Sequence, residues 1–312
     1  MATVKKQKSA KSVLRRKRLI FIWGMLAYPL LQYLIFFVYV NINTVVMSFQ
    51  QLNYVTGETI PFTLQNYERF FYEIVHFDEI RTAIGNSILA GLNNVLLILV
   101  SLFAGYFFYK KVPGGQVFRV IFYLPSIISI VVYTTAYKYM FNQSIGPINK
   151  ILLACGMDEG NLPIWFMDRN LALPLVFIYC IWVGVGYNVL IYSGGISKIP
   201  EDVMEYAKID GVGMFRELFQ MVIPMMWPTV AVSIIGCVTT MFTFFIQIQM
   251  LTSGGPDGST NTIAFMINSK VKGAGANLEW AATLGVCFTL IATPLILLIR
   301  KFNDKMSEKF GF

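Results

Sequence analysis

Six long apolar runs are the feature that most restricts what this chain can fold into. A helix needs about 20 mainly apolar residues to cross the hydrocarbon core of a bilayer. Only 13% of the 312 residues are charged, about half the share that is usual in soluble domains. We therefore predict an all-α membrane protein with six transmembrane helices. The runs cover approximately residues 19–40, 83–108, 118–140, 171–193, 223–250 and 280–299.

The distribution of Lys and Arg predicts the orientation of these helices. Cytoplasmic segments of membrane proteins carry an excess of basic residues, and 18 of the 25 Lys and Arg residues fall on the side that holds the N-terminus. We therefore expect both termini in the cytoplasm. The predicted division is a basic N-terminal tail at 1–18, a transmembrane domain at 19–300 and a C-terminal tail at 301–312. Because the basic residues concentrate before the first run, the net charge of +8 indicates a membrane flank and no nucleic-acid partner.

Residues that could carry out a reaction are missing from the sequence. It contains no glycine-rich phosphate-binding motif ending in Gly-Lys-Ser/Thr, and no run has a clear central charge of the kind that proton-coupled carriers use. One His and four scattered Cys residues do not resemble a metal site. We predict no catalytic residues and no metal ligands, and we expect the energy for any transport to come from another chain.

The segment 205–228 is polar and lies between the fourth and fifth runs. Its residues predict two short helices, at 203–209 and 214–221, separated by Gly211 and Gly213. A helical pair with exposed apolar edges can fill a groove on a partner protein. It can equally lie on the membrane surface as an amphipathic loop, and the pattern alone does not decide between the two.

Polar residues within the runs are candidates for lining a substrate path. Thr240, Thr243 and Gln247 follow one another at helical spacing, which predicts that they share one face of the fifth helix. Hydroxyl, amide and aromatic groups suit a neutral polyol or sugar, whereas the alternative role is helix packing through small and polar residues. The other candidates are Gly184, Tyr187 and Asn188 in the fourth run and Asn93 and Asn94 in the second.

Several motifs resemble those of permease subunits of binding-protein-dependent ABC importers, over roughly residues 65–300. The polar segment is similar to the EAA loop of that family, at about 197–224, although Tyr206, Val212 and Gly213 depart from the usual residues. Other segments resemble the carbohydrate and glycerol-phosphate (maltose-type) branch. The matching positions are Gly146-Pro147-Ile148-Asn149, Trp182, Gly184, Gly186, Ile199-Pro200, Glu205, Ala207, Asp210, Gly211, Pro224, Pro228 and Thr252-Ser253-Gly254-Gly255-Pro256 with Ser259-Thr260.

The resemblance implies a type I ABC importer permease fold and a role in sugar import. It implies a multi-pass protein of a bacterial-type plasma membrane that pairs with a second homologous permease and receives substrate from an extracellular solute-binding protein. Two ATPase subunits would bind ATP and Mg²⁺, which this chain would not. By the same resemblance the residues that couple to the ATPase are Glu205, Ala207, Asp210, Gly211 and Pro224. A permease for a non-sugar solute and a stand-alone secondary carrier are the alternatives.

Overall fold

The computed structural model describes residues 2–52, 59–110, 113–272 and 276–311, with side chains described from residue 15 onward. Four basic residues of the predicted tail, Lys5, Lys6, Lys8 and Lys11, and also Lys111, therefore lie outside the described side chains. The chain divides into two compact units. The first comprises 1–68 and 277–286, and the second comprises 69–276 and 287–312.

The first unit begins with one long helical stretch. It consists of α1 (Ala2–Gln32), a π-helical segment (Tyr33–Tyr39) and α2 (Val40–Ser48). The predicted basic tail is therefore not a separate element, because α1 includes it and continues directly into the first apolar run. The candidate span Arg15–Ser48 leaves its large apolar side chains exposed, as at Phe36, which is 71% exposed.

A small hairpin and hydrogen bonds complete the first unit. Strands β1 (Gln51–Leu52) and β2 (Thr59–Ile60) pair antiparallel, and α3 (Gln65–His76) begins here and enters the second unit. The Ser48 hydroxyl lies 2.6 Å from the hydroxyl of Tyr67. Thr283 Oγ1 donates to the carbonyl of Ser48 at 3.0 Å, so the end of α2 is fixed by side chains distant in sequence.

The second unit holds most of the helices. Its core packs buried side chains of the long helices around Tyr106, Tyr192 and Trp227. In chain order the helices are α4 (Asp78–Tyr109), α5 (Gly115–Ile127), α6 (Ile130–Met140), α7 (Pro147–Ala154), a 3-10 turn (Glu159–Asn161), α8 (Ala172–Ile196), α9 (Glu201–Ile209), α10 (Met214–Glu217), a π-helical segment (Leu218–Val222), α11 (Ile223–Met225), α12 (Trp227–Thr243), α13 (Ile246–Leu251), α14 (Ile263–Val271) and α15 (Leu278–Lys309), whose first residues belong to the first unit.

Two of the predicted spans are broken. In the described part of the chain, four helices are long and apolar enough to cross a membrane, and six candidates result if each bent pair counts as one span. The pair α5 and α6 bends by 104°, and the pair of Met214–Met225 with α12 bends by 86°. The third and fifth runs, each predicted as one transmembrane helix, therefore both contain a break.

The C-terminal residues are part of the folded domain and not a free tail. Helix α15 continues to Lys309, and Asn303 is buried. Its Nδ2 donates to the carbonyl of Ala231 at 3.0 Å, while its own carbonyl accepts from Trp227 Nε1 at 3.2 Å. Paired polar groups therefore hold this end of α15, within the predicted C-terminal tail at 301–312, against α12.

The four cysteines differ in surroundings. Cys155 ends α7 and is exposed. Cys180 lies within α8, and Cys237 and Cys287 are buried within α12 and α15. All four thiols are free, so cross-links do not contribute to this fold.

Candidate functional site

An uncharged cavity of about 240 Å³, with a mainly apolar surface and several amide and hydroxyl groups, opens between five helices of the second unit. Amides, hydroxyls and aromatic rings alternate with apolar groups around it, and no residue of the lining is charged. The lining residues are Ala90, Asn93, Asn94 and Leu97 of α4, Ile130 of α6, Tyr179, Cys180, Val183 and Gly184 of α8, Thr240 of α12, Phe244, and Gln247 of α13.

Most polar groups of this pocket are held by neighbouring helices. Asn94 Nδ2 donates to Thr240 Oγ1 at 3.0 Å, and Asn93 Nδ2 lies 3.4 Å from the carbonyl of Phe177. The Tyr179 hydroxyl lies 2.7 Å from Thr134 Oγ1. The described residues supply no hydrogen-bond partner for the amide of Gln247, which therefore remains available to a bound molecule.

The break in the fifth span determines where Gln247 lies. Helix α12 ends at Thr243, and Phe244 has extended backbone angles. The carbonyl of Phe244 accepts a hydrogen bond from Thr262 Oγ1 at 2.5 Å, which satisfies a backbone group that the break would leave unpaired.

The predicted common face for Thr240, Thr243 and Gln247 is wrong. The three residues do not share a helix, because Gln247 belongs to α13. Thr240 and Gln247 both line the pocket, but Thr243 is exposed and lies outside the lining.

The candidates in the fourth run also separate into two groups. Gly184 lines the pocket, and a Cβ atom there would lie 2.7 Å from Leu97 Cδ2, so this glycine permits close packing of α8 on α4. Tyr187 is 58% exposed, and Asn188 Nδ2 donates to the carbonyl of Gly184 at 2.9 Å. Neither of them is part of the lining, whereas Tyr179, which the spacing did not indicate, is.

A second segment of interest is the far loop, which we define as residues 252–262. Its hydroxyl and amide groups are used within the fold. Asn86 Nδ2 of α4 donates to the carbonyls of Ser259 and Asn261, both at 2.8 Å. Thr260 Oγ1 donates to the carbonyl of Gly255 at 3.0 Å. The glycine-rich stretch is therefore a structural turn between α13 and α14 that is hydrogen-bonded to α4.

The segment between α8 and α12 forms the two-helix loop, which we define as residues 197–225. Acidic Glu201 and Asp202 occupy the first turn of α9 and Lys208 its last turn, which is the favourable arrangement for the helix dipole. The helix ends at a left-handed Gly211, with φ 64°. Gly211 N donates to the carbonyl of Lys208, and Val212 N to that of Ala207.

This pattern is a Schellman ending, in which glycine takes the left-handed position at little cost. Asp210-Gly211 thus forms the turn between the two short helices, as the sequence predicted.

The two-helix loop has one buried face and one exposed face. Met204, Leu218 and Val222 are buried, with Leu218 and Val222 in the main core cluster of the second unit. Tyr206 and Ile209 are 67% and 79% exposed, and Phe215 is also exposed. Large apolar side chains thus project from the loop.

The predicted coupling residues fall on both faces. Glu205, Asp210 and Gly211 are exposed, whereas Pro224 is partly buried in α11. Ala207 is only 2% exposed, so its small side chain faces the domain itself. Of the predicted coupling residues, Ala207 therefore does not lie on the exposed face, because its own chain already covers it.

Comparison with known proteins gives the family. Residues 97–308 match the model of the "binding-protein-dependent transport system inner membrane component". A probable ABC transporter permease protein, YurN of Bacillus subtilis, is 27% identical over 90% of this chain and 95% of its own length. The maltose/maltodextrin permease MalF of Salmonella typhimurium is 33% identical over 48% of this chain, but the match covers only 28% of MalF.

Two further comparisons agree with this assignment. The diacetylchitobiose uptake permease NgcF of Streptomyces coelicolor is 26% identical over 62% of this chain and 56% of its own length. A chain in the crystal structure of a bacterial alginate importer, in complex with an alginate-bound periplasmic protein, superposes with a TM-score of 0.79 over 93% of this chain and 96% of its own, at 20% identity. That likeness shows the type I importer permease fold. The relatives are transport components and not enzymes, and this chain belongs to the family of binding-protein-dependent transport system inner membrane components.

Proposed function

We propose that this chain is half of the membrane path of an ATP-driven importer for a neutral sugar or oligosaccharide. The observation that carries the proposal is the combination, in one domain, of an uncharged pocket that contains amide and hydroxyl groups with a loop whose apolar side chains project outward. The pocket supplies a route for a polar solute. The loop supplies a surface that another protein can cover.

The chemistry of the pocket favours a neutral, hydroxyl-rich substrate. Amide, hydroxyl and aromatic groups line it, and a charged solute would lack a partner of opposite sign there. The names of the relatives agree with this choice, since MalF is a maltose/maltodextrin permease and NgcF a diacetylchitobiose permease. A cavity of about 240 Å³ is small for an oligosaccharide, so a second, homologous permease would complete the path.

The two-helix loop is the proposed contact with the ATPase. Two ATPase subunits, which bind ATP and Mg²⁺, would each receive such a loop, with Tyr206, Ile209 and Phe215 entering an apolar groove. Glu205 and Asp210 would orient the docked helix, and Gly211 would provide the turn.

The proposed orientation follows from this contact. The two-helix loop and both termini would lie in the cytoplasm, with six spans, two of them broken, in a bacterial plasma membrane. An extracellular solute-binding protein would deliver the sugar at the end that carries the far loop.

The residues that line the pocket do not favour a proton-coupled carrier or a permease for charged solutes. A secondary carrier that couples to protons commonly uses an Asp, Glu, Lys, Arg or His near the middle of the membrane, and the residues that line this cavity include none of these. A permease for acidic or basic solutes would need charged partners in the same place. A neutral solute other than a sugar is the remaining alternative.

A matched pair of variants tests the proposed path. Gln247→Ala removes the unpaired amide of the pocket, and Thr243→Ala removes a hydroxyl just outside it. One hydrogen bond contributes about 0.5–1.5 kcal/mol, so Gln247→Ala should raise the KM for uptake up to about tenfold. Thr243→Ala should leave the KM unchanged. The measurement is uptake of labelled neutral oligosaccharides by cells whose own copy of this chain is deleted and replaced by each variant.

The same cells test the substrate class. Deletion should abolish uptake of at least one neutral oligosaccharide and spare amino acids and peptides. Unchanged uptake of every sugar tested, together with loss of a non-sugar solute, would show that the substrate proposal is wrong while leaving the family membership intact.

A further inference from the structure

An ion pair with a buried carboxylate joins the two-helix loop to the end of α4. Lys110 is the C-terminal capping residue of α4, and its Nζ lies 2.5 Å from Oε1 of Glu217, the last residue of α10. Glu217 is only 4% exposed. Among the ion pairs formed by the described residues, this one has the most deeply buried carboxylate.

Apolar and aromatic contacts surround this pair. The ring of Phe103, on α4, lies 6.1 Å from that of Phe215 and 5.9 Å from that of Phe219, both on the loop. Lys110 Nζ lies 5.3 Å from the ring centre of Tyr106, which is buried. A carboxylate in such surroundings is costly without its cation, so the pair holds α10 at a fixed place on α4.

Helix α4 also contacts the pocket and the far loop. Asn93, Asn94 and Leu97 line the cavity, and Asn86 holds the far loop through two hydrogen bonds. The helix runs unbroken from Asp78 to Tyr109 and contains no proline, whereas α5 with α6 and α12 with α13 are interrupted. A displacement at Lys110 therefore reaches Asn94 through one continuous helix.

We propose that Lys110 and Glu217 are positioning residues that fasten the two-helix loop to α4, so that movement of the loop on ATP hydrolysis displaces the pocket side chains of α4. This inference rests on the proposed function, since it assumes that an ATPase moves the loop. Neither residue touches the substrate. Their role is to transmit movement.

The test is a double-mutant cycle in the complete importer, reconstituted in proteoliposomes. The variants are Lys110→Met, Glu217→Gln and the two combined. The quantity measured is sugar imported per ATP hydrolysed, which separates coupling from the amount of folded protein. Lys110→Met leaves the buried Glu217 carboxylate unpaired, and Glu217→Gln removes the partner of Lys110. Each single variant should lower this ratio by about tenfold or more, whereas the double variant should recover most of it, because removing both partners of such a pair is often nearly neutral.

Two further variants serve as controls. Glu217→Asp keeps the charge but shortens the side chain by one methylene group, and its ratio should fall between wild type and Glu217→Gln. Lys270→Met breaks the more exposed pair between Lys270 and Glu79 at the other end of α4, and it should keep the wild-type ratio.

The outcomes separate the inference from the proposed function. Wild-type ratios in both single variants would overturn the inference alone, as would a loss in the double variant equal to the product of the two single losses. A wild-type chain that co-purifies with no ATPase and shows no ATP-dependent import would overturn the proposed function and the inference with it.

Discussion

The far loop and the two-helix loop contact opposite ends of α4 and use their residues in different ways. Both contain glycines with positive φ, Gly254 and Gly211 among them. The far loop directs its hydroxyl and amide groups into the domain, where Thr260 and Thr262 are buried. The two-helix loop buries one face and leaves large apolar side chains, Ile209 above all, exposed. Glycine-rich turns therefore do not by themselves mark a functional surface.

Under the proposed function, the exposed apolar side chains of the two-helix loop form a surface for a partner, whereas the far loop serves the fold. A soluble loop gains nothing from large exposed apolar residues, and contiguous apolar surface commonly marks an interaction site. The far loop needs no such explanation, because the hydroxyls of Thr252, Thr260 and Thr262 have hydrogen-bond partners within the domain. The comparison predicts that changes to the far loop reduce stability, whereas changes to the exposed face of the two-helix loop reduce binding and leave stability intact.

The largest loss of stability should come from substitution of Gly254, which has close neighbours. A Cβ at Gly254 would lie 2.4 Å from Asn261 Oδ1, and φ is 85°. Gly254→Ala combines left-handed strain, about 1–2 kcal/mol, with overpacking, about 1–3 kcal/mol, so it should destabilise the protein by about 2–5 kcal/mol. The matched control is Gly211→Ala, where φ is 64° and no atom would lie within 4 Å. The control should cost only about 1–2 kcal/mol.

Thermal unfolding of both variants in detergent, followed by size-exclusion chromatography, measures the difference. Equal loss of stability in Gly254→Ala and Gly211→Ala would show that contact of the added Cβ with Asn261 contributes nothing. The far loop would then accommodate the added methyl group without further cost.

A smaller loss should follow from removing the amide that holds the far loop. Asn86→Ala leaves the carbonyls of Ser259 and Asn261 without their side-chain donor, at a cost of about 1–3 kcal/mol. Glu205→Ala, on the exposed face of the two-helix loop, should change the free energy of unfolding by less than about 0.5 kcal/mol. Chemical or thermal denaturation of the two variants compares them directly, and a larger loss in Glu205→Ala would contradict the division between the loops.

The smallest change in stability, but a measurable change in binding, is expected at Ile209. Ile209→Ala should weaken docking of the ATPase by about tenfold, or about 1.4 kcal/mol, because the side chain would be buried in the complex, where such burial contributes about 1.5–3 kcal/mol. Leu298→Ala removes a comparably exposed side chain from α15 and serves as the control. Titration of the ATPase onto the permease in detergent measures both, and equal affinities would place the docking surface elsewhere.

The long helices and the Asp210-Gly211 turn could be predicted from sequence because their causes are local. Apolar runs of sufficient length specify the helices, and the left-handed position after α9 calls for glycine. The importer family was also identified correctly from the spacing of motif residues.

The pocket could be predicted only in part. The break between α12 and α13 falls at Phe244-Phe245, where neither proline nor glycine marks it, and Thr262 satisfies the freed carbonyl from 18 residues away. Helical spacing therefore placed Thr243 beside Gln247, although the structure separates them. The burial of Ala207 could not be predicted from the sequence either, because it depends on which side of α9 packs against the domain.

The environment of Cys155 gives the native chain its own reporter of sidedness. It is exposed, beyond α7, on a segment that the proposed orientation places outside the cell. A membrane-impermeant maleimide should therefore alkylate this thiol first when it is added to cells whose plasma membrane is intact and directly accessible to the reagent. Cys237 and Cys287, buried within helices, should react only after denaturation, so one chemical label, with no engineered residue, reads which end of the domain faces outward.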